Sequence, residues 1–458
     1  MTPSPPTRLW HKDVALDEIV HRFTVGDDPA WDQHLVHWDC LGSVAHVQTL
    51  ARARLLTDAD RDALLVGLAD IDARDRAGQF VIPPELEDCH TAIEADLVAR
   101  CGAVGGRIHA GRSRNDQVAT ALRLFLRHFT LHWLARLHDF AAAALERIDR
   151  DGDIPMPGYT HMQAAMPSSI GLWLHAHVEA ALEQMHAGLD LLRRLDACPL
   201  GTGAGYGVPL PLDRSYTAAL LGFTRIQRNP LDVQNSRGRM ELYFARVAAD
   251  IAALVAKLAC DLLLFSTAEF GFCSLPTEMT TGSSLMPHKR NPDVLELLRA
   301  HEARARARVL EIESITAKLP SGYHRDLQWT KPPAIRTALD TADILAVATR
   351  VLSGLEVHRD RLAAAMRPEL YATHAALALV RQGMPFREAY RQIAADVTAG
   401  RFDARAAAQW HDGGGRLTAG LSSETRAELA QLRQQLDAWQ TRVQAAEAAL
   451  LPAPALQA

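Results

Sequence analysis

The sequence lacks most of the signals that name a protein quickly. Its six cysteines (Cys40, Cys89, Cys101, Cys198, Cys260, Cys273) are scattered and form no CxxC pair, so neither a zinc ribbon nor a thioredoxin-type redox motif is encoded. A large chain with so few cysteines points to a reducing, cytoplasmic setting. There is no run of about 18 apolar residues, which argues against a membrane span; LVAKLACDLLLF is broken by Lys257 and Asp261. The start, MTPSPPTRLWHKD, lacks the apolar centre of a secretory signal. Nor is there a basic excess. A formal net charge of −5 excludes a general binder of nucleic acid or of membrane surfaces, so any positive site must be local. No GxGxxG and no βαβ alternation occur, which leaves no signal for a dinucleotide cofactor. Despite twenty histidines, no HExxH or comparable ligand spacing appears. The sequence therefore predicts neither cofactor nor metal.

What is present is helix. From Val118 to Arg150 there is neither Gly nor Pro, and Val118, Leu122, Phe125, Phe129, Trp133, Leu137, Phe140 and Ala144 recur every three or four positions. Similar segments run from Pro167 to about Cys198, from about Arg239 to Phe270, from Asn291-Pro292 onward, and from about Ala334 to Leu355. Asn291 suits a helix cap and Pro292 the first helical position. Five segments of about 20 to 35 residues exceed the usual helix length of about 11–12 and predict an all-α protein with a long central bundle. Smaller helical parts flank it, giving an N-terminal domain over 1–108, the bundle over 109–356 and a C-terminal domain over 357–458. WHDGGGRLTAG (410–420) reads as a flexible loop and LPAPALQA as a frayed tail.

Three stretches at the mouths of the long helices carry chemistry. In HAGRSRNDQVAT (109–120), Arg112 and Arg114 can fork onto carboxylates, while Ser113, Asn115 and Asp116 can cap the helix that follows. A plain capped helix start explains the same residues. In PGYTHMQAAMP (157–167), Thr160, His161 and Gln163 lie between prolines. Such a histidine can move protons near neutrality, or simply satisfy a loop backbone. In GSSLMPHKRNPD (282–293), Gly282, Ser283 and Ser284 form a turn whose N–H groups can face one anion, and Lys289 adds a charge. A basic surface turn leaves the Gly-Ser-Ser and Met-Pro lead-in unexplained. Together they outline proton abstraction beside a carboxylate, whose doubly charged enediolate needs dense donors and cations.

TGSSLMPHKRNPD closely resembles the GSSxMPxKxNP signature of the fumarase/aspartase superfamily. Within it, HAGRSRNDQVAT, PGYTHMQAAMP, PLGTGAGYGVPLPLDR (199–214), LPSGYHRDLQWTK (319–331), EDCHTAIE (87–94) and GMPFREAY (383–390) resemble the argininosuccinate lyase family, over about residues 30–390. The resemblance implies a cytoplasmic homotetramer with each site drawn from three chains. It would split argininosuccinate into arginine and fumarate by β-elimination, the last step of arginine synthesis. It also implies that His161 and Ser283 form the proton-transfer pair and that Lys289 stabilises alkoxide and enediolate. Asn115, Thr160 and Asn291 would hold the succinyl carboxylates, and Tyr323, Gln328 and Lys331 the arginine part. Arg112, Ser113, Gln163 and Arg325 complete the implied substrate-binding set.

Some stretches depart from the family. LWHKD stands for its WGGRF start, and QNSRGRM (234–240) for its SERDF stretch, with Arg237 as a stand-in for the arginine there. His288 and Arg290 replace the commoner Gln and Lys. The family's substrate-binding serine falls in FTVGDD, near Asp28, where this chain has none. An adenylosuccinate lyase-like enzyme of the same superfamily is the nearest alternative, and LPSGYHRDLQWTK argues against it. A crystallin-like structural paralogue could lose catalytic residues freely, yet His161, Ser283 and Lys289 are all kept. Helix length adds one expectation. About 35 residues after Asn115 span about 50 Å at 1.5 Å each, with His161 beyond the far end. One chain cannot close both onto one small substrate, so antiparallel packing of different subunits is expected.

Overall fold

The structure, a computed structural model, describes residues 17–405 and 412–451. The LWHKD stretch and residues 452–458 of the expected frayed tail lie outside them. The N-terminal part comprises α1 (Glu18–Val25), α2 (Asp28–Asp32), α3 (Val36–Arg52), α4 (Asp58–Arg76) and α5 (Cys89–Cys101). The bundle follows with α6 (Arg114–Asp151), a hairpin of β1 (Pro155–Thr160) and β2 (Gln163–Ser169), α7 (Ile170–Leu195), α8 (Arg239–Phe265), α9 (Asp293–Thr316) and α10 (Lys331–Gly354). Beyond it lie α11 (Arg359–Ala365), α12 (Ala372–Arg381), α13 (Phe386–Thr398) and α14 (Asp412–Leu450).

Local chemistry sets the ends of α6. Ser113 and Asp116 form a reciprocal capping box at its start. No Gly or Pro interrupts the 38 residues that follow, and Phe125, Trp133, Leu137, Phe140 and Ala144 are buried along it. Trp133 stacks on Phe244 of α8 with ring centroids 4.1 Å apart. Its indole N–H also donates to the Ala338 carbonyl of α10 at 3.1 Å. One side chain thus joins three long helices. Arg147, buried near the other end, donates to the Leu352 carbonyl at 2.8 Å and to those of Ser353 and Leu355. These are carbonyls that the end of α10 leaves without helical partners.

These contacts fix the polarity of the bundle. Arg147 and Asp151 meet the end of α10 and Arg359, and Cys273-Ser274, just after α8, pairs with Glu356-Val357. So Asp151, Phe265, Asp293 and Gly354 share one end, here called the far end. The near end gathers the starts of α6, α8 and α10 and the finish of α9. Gly238, at φ 74°, opens α8 there, and a Cβ on it would lie 2.1 Å from Thr316 Cγ2.

The structure corrects four expectations from sequence. Helix α7 begins at Ile170 rather than Pro167, because 163–169 pair as β2 and Ser169 supplies the cap, accepting from the Leu172 N–H at 3.1 Å. Helix α8 stops at Phe265. Asn291 is not a cap: it pairs with Thr281 in a two-residue bridge and α9 starts at Asp293. Residues 412–420 are helical, within the 39-residue α14, and not a loop; 410 and 411 lie outside the described residues. Helix α14 lies on α6 and α7, where Leu432, Leu436 and Val443 are buried. Arg442 meets Asp196 at 3.1 Å, and the buried Arg127 reaches Glu447. The contacts that hold this helix come from its later residues against distant parts of the chain, so the local sequence around the glycines does not reveal it. No helix among the described residues is long and apolar enough to cross a membrane.

Trp133→Ala removes both the stack and the indole donor. It should lower the unfolding free energy by about 3–5 kcal/mol, read from chemical denaturation. A loss under 1 kcal/mol would contradict a three-helix junction at this residue.

Candidate active site

At the near end a cavity of about 160 Å³ opens between the N-terminal helices and the bundle. Of the residues expected from sequence, Asn115, Tyr323, Arg325, Gln328 and Lys331 all line it. Asp28, Asp32, Glu87, Asp88, His90, Arg114 and Arg237 line it as well. Lys331 begins α10 and is 5% exposed. Its ammonium lies 2.6 Å from Asp32 and 2.7 Å from Asp28. Burial works against that charge, but Asp32 and then Asp28 outweigh it and hold the Lys331 pKa above the ordinary lysine value. Burial pushes the Asp28 carboxyl up to about 6, against the pull of Lys331. Gln328 and Arg325 brace the same wall. Gln328 Nε2 donates to the Thr24 and Val25 carbonyls at 3.2 and 3.3 Å, and Arg325 to Thr24 at 2.9 Å.

The opposite wall comes from α5 and α6. Arg114 lies 3.2 Å from Asp88 and donates to Thr91 Oγ1 at 2.6 Å. Burial would raise the Asp88 pKa, but His90 and Arg114 hold it below the ordinary value. Burial likewise opposes the His90 imidazolium, while Asp39, 3.1 Å away, holds it up. Asp32, Cys89 and His90 bring ligand-type atoms within 4.8 Å of one another. The Asp32 oxygens there already accept from Lys331 and from the Cys89 N–H, so the ammonium supplies the local positive charge. Asp28 Oδ1, His90 Nε2 and Arg237 Nη1 are buried with no hydrogen-bond partner among the described residues. All three residues line the cavity. A folded protein leaves few such atoms unsatisfied, and these three belong to residues of one cavity.

Arg112 and Ser113 do not reach this cavity. Arg112 is buried, with Nη1 donating to Ser43 Oγ at 2.7 Å, and Ser113 caps α6. Asp116 ties the cap to the glycine-rich loop after α7, accepting from Gly201 and Gly203 N–H at 3.1 and 2.8 Å. Burial pushes this carboxyl up to about 6 in spite of those donors.

The remaining expected residues lie at the far end. Thr160 and Gln163 pair across the tip of the hairpin. His161 and Met162 form its two-residue turn with φ of 53° and 60°, the left-handed pair that a tight hairpin turn demands and glycine or asparagine usually fills. Holding a histidine there stores strain of a kind that collects at functional sites, and His161 is exposed. Tyr159 packs on Phe270, just beyond α8, with centroids 5.8 Å apart. The second far-end element is the loop between Thr281-Gly282 and Arg290-Asn291, which pair with each other. Ser283 Oγ accepts from the Leu285 and Met286 N–H groups at 3.3 and 3.0 Å. Asn291 Nδ2 donates to the Gly282 carbonyl at 3.3 Å, and Lys289 is exposed. One chain therefore brings the expected arginine-side residues together with Asn115. It leaves Thr160, His161, Gln163, Ser283, Lys289 and Asn291 beyond helices such as α8, whose 27 residues span about 40 Å.

Comparisons with known proteins identify the family. A family model described as Lyase matches residues 13–306. The argininosuccinate lyase of Sorangium cellulosum (strain So ce56) is 44% identical over 392 residues, 86% of this chain and 91% of the relative. That of Stenotrophomonas maltophilia (strain K279a) is 43% identical over 423 residues, 92% and 96% of the two chains. The chain belongs to the argininosuccinate lyase family. Among solved structures, EDDS lyase in complex with formate superposes with a TM-score of 0.78 at 24% identity, covering 95% of each chain. A class II fumarase from Schistosoma mansoni superposes at 0.69 and 16% identity, covering 86% of this chain and 91% of that one. The fold is thus the helical fumarase/aspartase type.

Several cavity residues of this family member escaped the sequence reading. Glu87, Asp88 and His90 lie in EDCHTAIE, whose resemblance names no partner for their charges, and Asp32 lies in none of the stretches that carry the resemblance. Arg114 was weighed only as a fork beside Arg112. A direct check of the charge balance is Lys331→Met, which leaves Asp28 and Asp32 buried without their cation. Unfolding at pH 7 should become easier by about 3–5 kcal/mol. Part of that should return at pH 5, because the folded carboxyls then bind protons that unfolded ones release. An unchanged stability at pH 7 would contradict the ion-pair account.

Proposed function

We propose that this chain is a carbon–nitrogen lyase that converts argininosuccinate to arginine and fumarate, the terminal step of arginine synthesis. Family membership over most of its length supports the reaction. The observation that carries the substrate is the near-end cavity, where Asn115, Tyr323, Arg325, Gln328 and Lys331 converge. The chemistry needs a base for the proton beside a succinyl carboxylate, an acid for the leaving guanidino nitrogen, and charge to stabilise the enediolate. Ser283 and His161 are the proton-transfer pair, and Lys289 is the cation for alkoxide and enediolate. Asn115, Thr160 and Asn291 receive the succinyl carboxylates, and Gln163 stands beside them on the hairpin. The arginine end goes to Tyr323, Gln328 and Lys331, with Arg325 behind them.

A complete site needs more than one chain. Copies packed antiparallel lay the far end of one bundle against the near end of another, so a homotetramer supplies the His161 turn and the Ser283 loop to each arginine pocket. The exposure of His161 and Lys289 suits that delivery.

Purified protein treated with EDTA should release fumarate from argininosuccinate and none from adenylosuccinate. A requirement for added metal, or a preference for the purine compound, would overturn the proposal. Ser283→Ala should lower kcat by about 10²–10⁴-fold while substrate still binds; a variant within threefold of wild type would remove Ser283 from the chemistry. Gln328→Ala should weaken inhibition by arginine and leave inhibition by fumarate unchanged. Equal losses for both products would make Gln328 structural.

A further inference from the structure

Asp116 is a buried carboxylate that the reaction, as proposed, does not use. It lies in the first turn of α6, next to Asn115, and is 0% exposed. Its two oxygens serve two different segments. Oδ1 accepts from the Ser113 N–H at 2.9 Å and completes the capping box. Oδ2 accepts from the Gly201 and Gly203 N–H groups at 3.1 and 2.8 Å. Those glycines have φ of 85° and 58°, and backbone of this kind lets nearby N–H groups converge on one anion. Here the anion is a side chain of the same protein. The tip of the loop meets the segment before Tyr323. A Cβ placed on Gly322 would lie 3.9 Å from the Tyr206 hydroxyl, and the Gly322 N–H donates to Asn235 Oδ1 at 2.9 Å. Asn115 and Tyr323 both line the cavity.

We infer that Asp116 is a positioning residue: its carboxylate holds the start of α6 and the 201–207 loop in one arrangement, and so sets Asn115 against the segment that carries Tyr323. Both oxygens are in use. A neutral carboxyl carries its proton on an oxygen that already accepts, so it gives up at least one of these bonds. Burial favours the neutral form and pushes the Asp116 pKa up to about 6, against the pull of the three N–H donors and of Arg112. Few charged groups surround it. Arg112 is shared with Asp39 of α3 and Glu94 of α5. His46 of α3 is neutral, because burial and then Arg112 push it down to about 3. Arg214 feels the Asp116 charge, and it donates to the Leu200 and Gln227 carbonyls at 3.1 and 2.7 Å. That keeps the root of the loop fixed and confines any release to the residues beyond it. Below about pH 6 one arm of the latch therefore opens. The inference rests on the proposed reaction for its kinetic readout.

Amide hydrogen exchange on the intact protein tests it at Ser113, Gly201 and Gly203. After division by the intrinsic rate, wild type should lose about tenfold or more in protection at one side of the latch at least between about pH 7.5 and about pH 5. Amides in the middle of α8 should keep theirs. Asp116→Ala, which has no acceptor, should show low protection at all three positions at either pH. With argininosuccinate at about pH 7.5 the same variant should raise KM by about tenfold or more and change kcat by less than about threefold, because placement of the ligand-holding residues is lost and proton transfer is not. The inference is overturned if wild-type protection at all three amides is unchanged by pH, or if folded Asp116→Ala keeps wild-type protection or KM. It is overturned too if activity falls only in proportion to the folded protein that remains, as a purely structural carboxylate would give. The wild-type exchange measurement decides even where the variant does not fold. Fumarate release by wild type separates the two levels. Protein that releases fumarate but fails the exchange test loses only the role of Asp116, and protein that releases none loses the reaction itself.

Discussion

A straight helix advances about 1.5 Å per residue, and it cannot fold back to meet its own start. That constraint governs this molecule. Helix α6 carries Asn115 at one end, and its 38 residues put the His161 hairpin about 57 Å away along the axis. Helices α8 and α9 do the same for Arg237 and the Ser283 loop. The packing that makes the helices rigid keeps the two sets of expected residues apart within one chain. Trp133 locks three of them together, and Arg147 closes the end of α10. The bundle is a spacer of fixed length with different chemistry at its two ends.

The near end holds its ligand space by charge balance. Lys331 takes two carboxylates, Arg114 takes Asp88, and His90 takes Asp39. Buried charges of this kind cost several kcal/mol each unless they are paired. The pocket therefore loses much stability when any one member is removed. The far end is built the other way. Thr160, His161, Gln163 and Lys289 are exposed and Ser283 and Asn291 half-buried, on a strained two-residue turn and on a loop closed by the Thr281–Asn291 and Gly282–Arg290 pairing. A charge-paired cavity at one end and a strained turn and loop at the other are what the proposed two-ended site would need.

Much of this was legible in the sequence. Uninterrupted periodicity gave the long helices to within a few residues, because burial on one face and the absence of Gly and Pro act locally. The stretches around Ser113, His161, Ser283 and Gln328 were visible as motifs. What was not visible depended on partners far away in the chain. Residues 163–169 read as helix until β1 is there to pair with them. Residues 412–420 look like a glycine-rich loop, yet they continue a helix that rests on α6 and α7. Asp28 and Asp32 are two acidic residues among many until Lys331, some 300 positions later, closes on them. Arg112 has the chemistry of a substrate ligand, and only its burial against Ser43 shows that it belongs to the framework.

The central claim is that each working site combines the near end of one chain with the far end of another, and complementation tests it most directly. Asn115→Leu disables the near end and His161→Asn the far end, so each variant alone should be almost inactive on argininosuccinate. Mixed oligomers formed by co-expression, or by unfolding and refolding the two together, should recover a measurable fraction of wild-type fumarate release, because some sites then draw both ends from intact partners. Mixed oligomers, verified as such by two different affinity tags, that remain as inactive as their parents would contradict the account.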